Sequence, residues 1–329
     1  MGVGIAAAWA ASASDLSRDT QWDRALEALR LQELRLATVN FRLTTANDVL
    51  CDRHLPQTGI VIQDAQQYRA ELRSAATRFF NLENGPAVMV VVPGSPAARA
   101  GLQAGDVLTA VNGRPVADGG EPDLDMRARN DSGDYAAMEA LSLLMDEAFT
   151  KGRTSLSIRR GDTNLRVEIL PVAGCASKEK LLISPKMNSY ADGENAMITT
   201  AVVEYTQNDD ELAVVLSHEM AHNVVHDHPP SGSNYGRLEA RDIGTRQSEI
   251  EADYTGVYLM ARAGYAFDAA PNFWLRFGKD HGLGIFADGS HPGWKKRAGL
   301  AQATVVEIRQ KKLQGKALTP DLPFFSSRS

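Results

Sequence analysis

His218, Glu219, Met220, Ala221 and His222 form an H-E-x-x-H pentapeptide. On a helix, residues four apart project from one face, so both imidazoles can reach one Zn2+ while Glu219, one step round, faces a water on that cation. The grouping suits hydrolysis of a peptide bond, with the cation polarising the carbonyl and the carboxylate moving the proton. A chance H-E-x-x-H arises in roughly one chain in a hundred of this composition, so the surrounding elements must decide.

Asn208 and Glu211 make a capping box, Asp209 and Asp210 suit the positive end of a helix dipole, and Leu212, Val215 and Leu216 supply an apolar flank. These signals predict a helix over about 209–226, stopped by Pro229 and Pro230. A second helix is predicted over about 246–262, ending at Gly264. On it Glu249 and Asp253 share a face, so Glu249 is a third ligand and Asp253 accepts the N–H of a ligand histidine. His218, His222 and Glu249 then hold one Zn2+ per chain and leave one position for water. The rival third ligand is His228, spaced as in the H-E-x-x-H-x-x-G-x-x-H pattern of metzincins, but Val225 occupies the glycine position of that pattern and resists the required turn. A purely structural zinc site would have no use for Glu219. The stretch from Asp227 to Gly244, with its glycines and prolines, is expected to cover the zinc site.

At this point the chain resembles the HtpX and CAAX-prenyl endopeptidase family of gluzincins. The resemblance is carried by H-E-M-A-H, by E-x-x-A-D at Glu249–Asp253, by Glu211–Ser217, by Asn195-Ala196, and by His291-Pro292 with Arg297, over residues 174–313. It implies a zinc endopeptidase, with His291 or Arg297 stabilising the oxyanion and Asn195-Ala196 forming a cleft-edge strand that pairs with an extended substrate.

A second signal lies upstream. The run from Gly85 to Leu108, a β-branched strand, a turn, a short alanine-rich helix and Gly105-Asp106 before another strand, resembles a bacterial PDZ domain. A helix over Tyr135–Thr150 and a hairpin over Thr154–Val172 complete it, with an insertion at 117–133. Strand addition of a peptide C-terminus is expected at Asn84–Ala87 and the edge strand Val88–Val92, against a helix carrying Ala137, Leu141 and Leu144. The expected architecture is α+β: a PDZ-like, partly open β-barrel followed by a mostly helical gluzincin metallopeptidase domain with a small sheet. The divisions are 1–14, 15–75, 76–173 and 174–329.

Residues 1–14 resemble the apolar core of a secretory signal, with Ala11-Ser12-Ala13 as a cleavage context, so a periplasmic or exported location is expected, a cytoplasmic one being the alternative. Trp22, Leu26, Leu29, Leu34 and Leu36 predict an amphipathic helix over 20–40. The only two cysteines, Cys51 and Cys175, lie in no metal or nucleophile pattern and are expected to form a disulfide. At 329 residues, with 43% hydrophobic residues and a net charge of −6, the chain is long enough for two domains and has no basic footprint for nucleic acid. No apolar run is long enough for a membrane span, which removes the intramembrane proteases that also combine H-E-x-x-H with a PDZ domain. The expected partners are unfolded or misfolded protein substrates in envelope quality control. The competing expectation is a PDZ-based peptide-binding or chaperone-like module whose zinc site is closed or rarely active.

Overall fold

Apolar residues recur every three or four positions between Leu26 and Leu43, and this stretch forms one long helix, α1 (Ala13–Ala46), well beyond the 20–40 expected. The structure is a computed structural model that describes residues 13–116, 136–225, 246–282, 292–322 and 325. Two faces of α1 are used. Leu36, Val39 and Leu43 enter the core around the H-E-x-x-H helix, while Leu26 and Ala37 pack with Ala87, Met89 and Val90 on the PDZ side. Each fully buried leucine on such a face contributes about 1.5–3 kcal/mol.

After α1 come two short strands, β1 (His54–Gln57) and β2 (Ile60–Gln63), and helix α2 (Ala70–Phe80). The PDZ segment continues with β3 (Ala87–Val91), α3 (Pro96–Arg99), β4 (Val107–Val111), β5 (Arg114–Pro115), α4 (Ala136–Thr150), β6 (Thr154–Arg160) and β7 (Thr163–Ile169). One open sheet runs β2-β3-β4-β6-β7, with β5 beside β4. This corrects the expected peptide-binding edge. Strand β3 is interior, hydrogen-bonded to β2 through Ile60–Val91 and Ile62–Val88 and to β4 on its other side, so the edge belongs to β2. Ile60 and Ile62 of β2 and Leu144 and Met145 of α4 pack against the same core cluster, to which α4 contributes Leu141.

The remaining elements are β8 (Val172–Cys175), β9 (Lys178–Leu182), β10 (Ser189–Ala191), β11 (Asn195–Thr199), α5 (Thr200–Tyr205), α6 (Asp209–Val225), α7 (Arg246–Arg262), α8 (Ala269–His281) and α9 (Trp294–Leu313). Strand β11 is parallel to β9 and antiparallel to β10, in the order β10-β11-β9. Strand β8 pairs with β1, from His54–Cys175 to Gln57–Val172. Beside that ladder a disulfide joins Cys51 to Cys175, with the Cα atoms 5.5 Å apart. It closes a loop of 124 residues, for which loop entropy sets an upper bound of about 5 kcal/mol. Among the described residues no helix is long and apolar enough to cross a membrane. Residues 1–12, most of the signal-like stretch, and the 117–133 insertion lie outside the described residues.

Between α1 and β9 two carboxyls come together. Burial and the neighbouring Glu179 push Glu33 up to about 8. Burial also raises Glu179 to about 7, against the hydrogen bond it accepts from Asn40 Nδ2. Folding raises both groups, so the folded chain holds protons that the unfolded chain has released. The associated stability is present below the unfolded carboxyl value of about 4.3 and is lost as pH rises through about 8. Glu33→Gln is therefore expected to raise Tm at pH 8.5 and to flatten its fall between pH 5 and 9, as measured by calorimetry. A variant whose Tm tracks the parent at every pH would contradict this.

Candidate active site

The N-terminus of α6 forms half of the expected capping box, the return bond of Glu211 going to Gln207 in place of Asn208. Asn208 Oδ1 accepts from the Glu211 amide at 3.0 Å, and the Glu211 carboxylate accepts from the Gln207 amide at 2.8 Å. Three turns later His218, Glu219 and His222 are each 3% exposed. Helix α7 runs alongside and contributes Glu249, 2% exposed. Gly256 permits this approach: a Cβ there would stand 3.1 Å from Ser217 Oγ and 3.2 Å from the His218 amide nitrogen. Nothing in the sequence reading singled out Gly256, although a glycine inside a helix is a signal that some close contact needs it.

The ligand atoms converge. His218 Nε2 lies 3.2 Å from Glu249 Oε2, His222 Nε2 lies 3.4 Å from Glu249 Oε1, and the two Nε2 atoms are 3.3 Å apart. Tetrahedral zinc with bonds of about 2.0 Å needs ligand atoms roughly 3.3 Å apart. The donor set therefore fits a zinc ion in chemistry and in size. Among the described residues it is the one His/Cys/Asp/Glu group of three or more able to hold a metal.

Behind the cluster, His218 Nδ1 donates to Asp253 Oδ1 at 3.0 Å, which leaves the Nε2 lone pair directed at the cluster. Arg297, 1% exposed, grips the same carboxylate with both arms, Nε to Oδ2 at 2.8 Å and Nη2 to Oδ1 at 2.6 Å. Its guanidinium carbon lies over Trp274, 3.4 Å from the ring centre. Burial alone would push Asp253 up, but the Arg297 charge and the His218 N–H outweigh it and hold the carboxyl down to about 2. Arg297 thus stands on the Nδ1 side of His218, within 3.1 Å of Nδ1. Helix α9 is set by another close approach. Trp294 packs on Gly278, where any Cβ would fall within 2.0 Å of the indole.

The strand beside the cleft also differs from expectation. Strand β11, with Asn195 and Ala196, is central and has a partner on both sides. Asn195 Nδ2 donates to Asp192 at 2.8 Å within the β10–β11 turn, and Ala196 is buried. Strand β10 is one of the two edges of this sheet. Asp192 donates to Asn195 O and Thr199 to Asn188 O, so Asn188, Tyr190 and Asp192 face β11, while Ser189 and Ala191 turn their backbone N–H and C=O outward. Asn223, the residue after His222, ties this hairpin to α6: its Oδ1 accepts from the Gly193 amide at 2.8 Å and its Nδ2 donates to Ser177 Oγ at 3.0 Å. From outside, Arg53 Nη1 holds Gly193 O at 3.1 Å. Neither Asn223 nor Arg53 carried a sequence signal, because each acts through contacts distant in the chain. His291, His226, His228 and the 227–244 stretch lie outside the described residues.

Two variants test this geometry. Gly256→Ala, which in an ordinary helix gains about 1 kcal/mol, should here lower stability and weaken zinc binding at least tenfold in a chelator competition. Arg297→Ala should cost about 3–5 kcal/mol by leaving the Asp253 charge buried without its main partner. Neutral thermal melts and unchanged zinc affinity in both would contradict the account.

Residues 88–134 match the PDZ domain family model, and residues 169–240 match that of peptidase family M48. The second match ends before Glu249, so the third ligand rests on geometry. The mitochondrial metalloendopeptidase OMA1 of Arabidopsis thaliana is 28% identical over 176 residues, which is 45% of this chain and 36% of that protein. The serine protease HTRA3 of Mus musculus is 32% identical over 101 residues, 31% of this chain and 17% of that protein. This chain thus spans well under two thirds of either relative. Among solved structures, a crystal structure of the HtrA3 PDZ domain bound to a phage-derived ligand is 25% identical, covers 37% of this chain and 88% of that one, and superposes with a TM-score of 0.24. The chain thus carries a segment that matches the PDZ domain model, followed by one that matches the model of peptidase family M48.

Proposed function

We propose that the chain is a zinc endopeptidase acting on extended or unfolded polypeptide, with its PDZ domain recruiting substrate and one zinc per chain. The observation that carries this reading is the buried convergence of His218, His222 and Glu249, with Glu219 next to the first of them and Asp253 fixing its imidazole. When bound, Zn2+ supplies the Lewis acidity that polarises the scissile carbonyl and makes water acidic near neutral pH. Glu219 takes a proton from the attacking water as its oxygen bonds to the carbonyl carbon, and delivers that proton to the leaving nitrogen as the C–N bond breaks. His218 keeps its orientation because Asp253 accepts its Nδ1–H and Arg297 fixes Asp253. The outward amides and carbonyls of Ser189 and Ala191 are placed to pair with an extended substrate. His291, by family resemblance, remains a proposed oxyanion partner.

The PDZ groove in this reading lies between the β2 edge and α4, where Ile60, Ile62, Leu141 and Leu144 offer an apolar floor for a peptide C-terminus. The Cys51–Cys175 disulfide supports an oxidising location such as a bacterial periplasm, and with it a role in envelope protein quality control.

The test uses zinc-loaded protein and denatured casein. Glu219→Gln should keep one zinc per chain and lose cleavage by a hundredfold or more. Glu249→Ala should lose zinc affinity by orders of magnitude, and His228→Ala should change it little. Full activity in Glu219→Gln would overturn the proposal, and loss of zinc in His228→Ala alone would replace its ligand set.

A further inference from the structure

The turn between β10 and β11 is held from two sides by residues that the hydrolytic step leaves unused. Gly193, within that turn, has φ +93°, in the left-handed region where a side chain would be strained. Its N–H donates to Asn223 Oδ1 at 2.8 Å, and its C=O accepts from Arg53 Nη1 at 3.1 Å. Both polar groups of this one residue are therefore fixed by side chains from elsewhere in the chain. Each holder is itself anchored. Asn223 follows the ligand His222 on α6, is 5% exposed, and donates from Nδ2 to Ser177 Oγ at 3.0 Å. Asparagine is a poor helix former, and a buried helix face favours apolar residues, so its hydrogen bonds are the reason for it here. Arg53 lies two residues after the half-cystine Cys51, and its C=O accepts from the Ala176 amide at 2.9 Å.

Strand β10 packs on α6, and Ala191, one of the two residues whose backbone points outward, is two positions before Gly193. The clamp on Gly193 thus sets where this edge lies against the helix that carries both ligand histidines. An edge that captures an extended chain by strand pairing does so in one register, and a misplacement of about 1 Å can cost about a hundredfold in rate. We propose that Arg53 and Asn223 are positioning residues that hold the β10 edge in register with α6 for an extended substrate. The proposal rests on the peptidase reading above and adds how its substrate strand is fixed. One arm of the clamp comes from the segment that leads through β1 into β2, the edge of the PDZ sheet, so the chain entering one domain completes the cleft of the other. When a holder is lost the turn moves, and the cost of ordering it again falls equally on bound substrate and transition state. The loss therefore raises KM and leaves kcat in place.

The test uses the zinc-loaded full chain and a blocked casein peptide of about eight residues, long enough to pair along β10. The Arg53 side chain is 33% exposed, so Arg53→Ala removes little packing. It should raise KM about tenfold with kcat within about twofold and zinc content unchanged. Arg53→Lys, which keeps a donor for Gly193 O, should recover most of that loss. Glu194→Gln removes only the carboxylate 3.6 Å from Arg53 Nη2 and should leave KM where it was. Asn223→Ala, read in the same way, gives a second measure should Arg53→Ala not fold. An unchanged KM in both alanine variants, or a fall in kcat or zinc content without a rise in KM, would overturn the clamp and leave the zinc peptidase standing. If the parent cleaves nothing, the catalytic reading fails, and the clamp is decided by hydrogen exchange with the same peptide added. Slower exchange across residues 189–191 in the parent, lost in Arg53→Ala, supports it. Equal slowing in both, or none in the parent, overturns it.

Discussion

The ion pair between Asp253 and Arg297 is the interaction on which the rest of this site depends. Two imidazoles and two carboxylates are packed from adjacent helices with almost no exposure, an arrangement that is costly unless each charge and each N–H has a partner. Asp253 meets that need at His218 Nδ1, but as a buried anion it needs a cation of its own. Arg297 supplies one from a third helix, and Trp274 from a fourth covers the guanidinium face. The four helices α6, α7, α8 and α9 are thus tied to one point, and the imidazole aimed at the metal position has little freedom to turn.

The long helix α1 does for the whole chain what that pair does for the site. One of its faces completes the core around α6 and α7 while another completes the core under the PDZ sheet. At its C-terminal end Asn47 donates to Leu259 O and accepts from Arg262 Nε, which fixes α1 to α7. A few residues on, the disulfide and the β1–β8 ladder fasten the chain that enters the PDZ edge strand to the chain that enters the peptidase sheet. Between the two, Lys178 of β9 reaches Ser142 and Asp146 on α4. The groove helix of one domain and the sheet of the other are therefore in direct polar contact.

Much of this could be read from the sequence, and the limits have physical causes. The bounds of α6 and α7 were legible because caps, prolines and a terminal glycine are local signals, and Glu249 with Asp253 was legible because helical spacing is local too. Edge status is not local. Whether β3 or β2, and β11 or β10, borders a groove depends on which strand pairs last, and β2 comes from a short stretch well upstream of the PDZ-like run. The place of Arg297 beside Asp253 was not legible for the same reason. Its position in the chain says that it comes near the site, but only packing decides on which side of His218 it stands. Asn223 was invisible because it is not unusual until Gly193, 30 residues away, is known as its neighbour, and Gly256, a glycine within a helix, signals a close contact without saying with what.

The central claim, that two imidazoles and one carboxylate from α6 and α7 form the zinc site, is tested most directly by X-ray absorption spectroscopy of the zinc-loaded protein. The account predicts a four-coordinate zinc with two imidazole nitrogens and two oxygen ligands at about 2.0–2.2 Å, one oxygen being lost in Glu249→Gln. A spectrum that requires three imidazoles, or one left unchanged by Glu249→Gln, would contradict it.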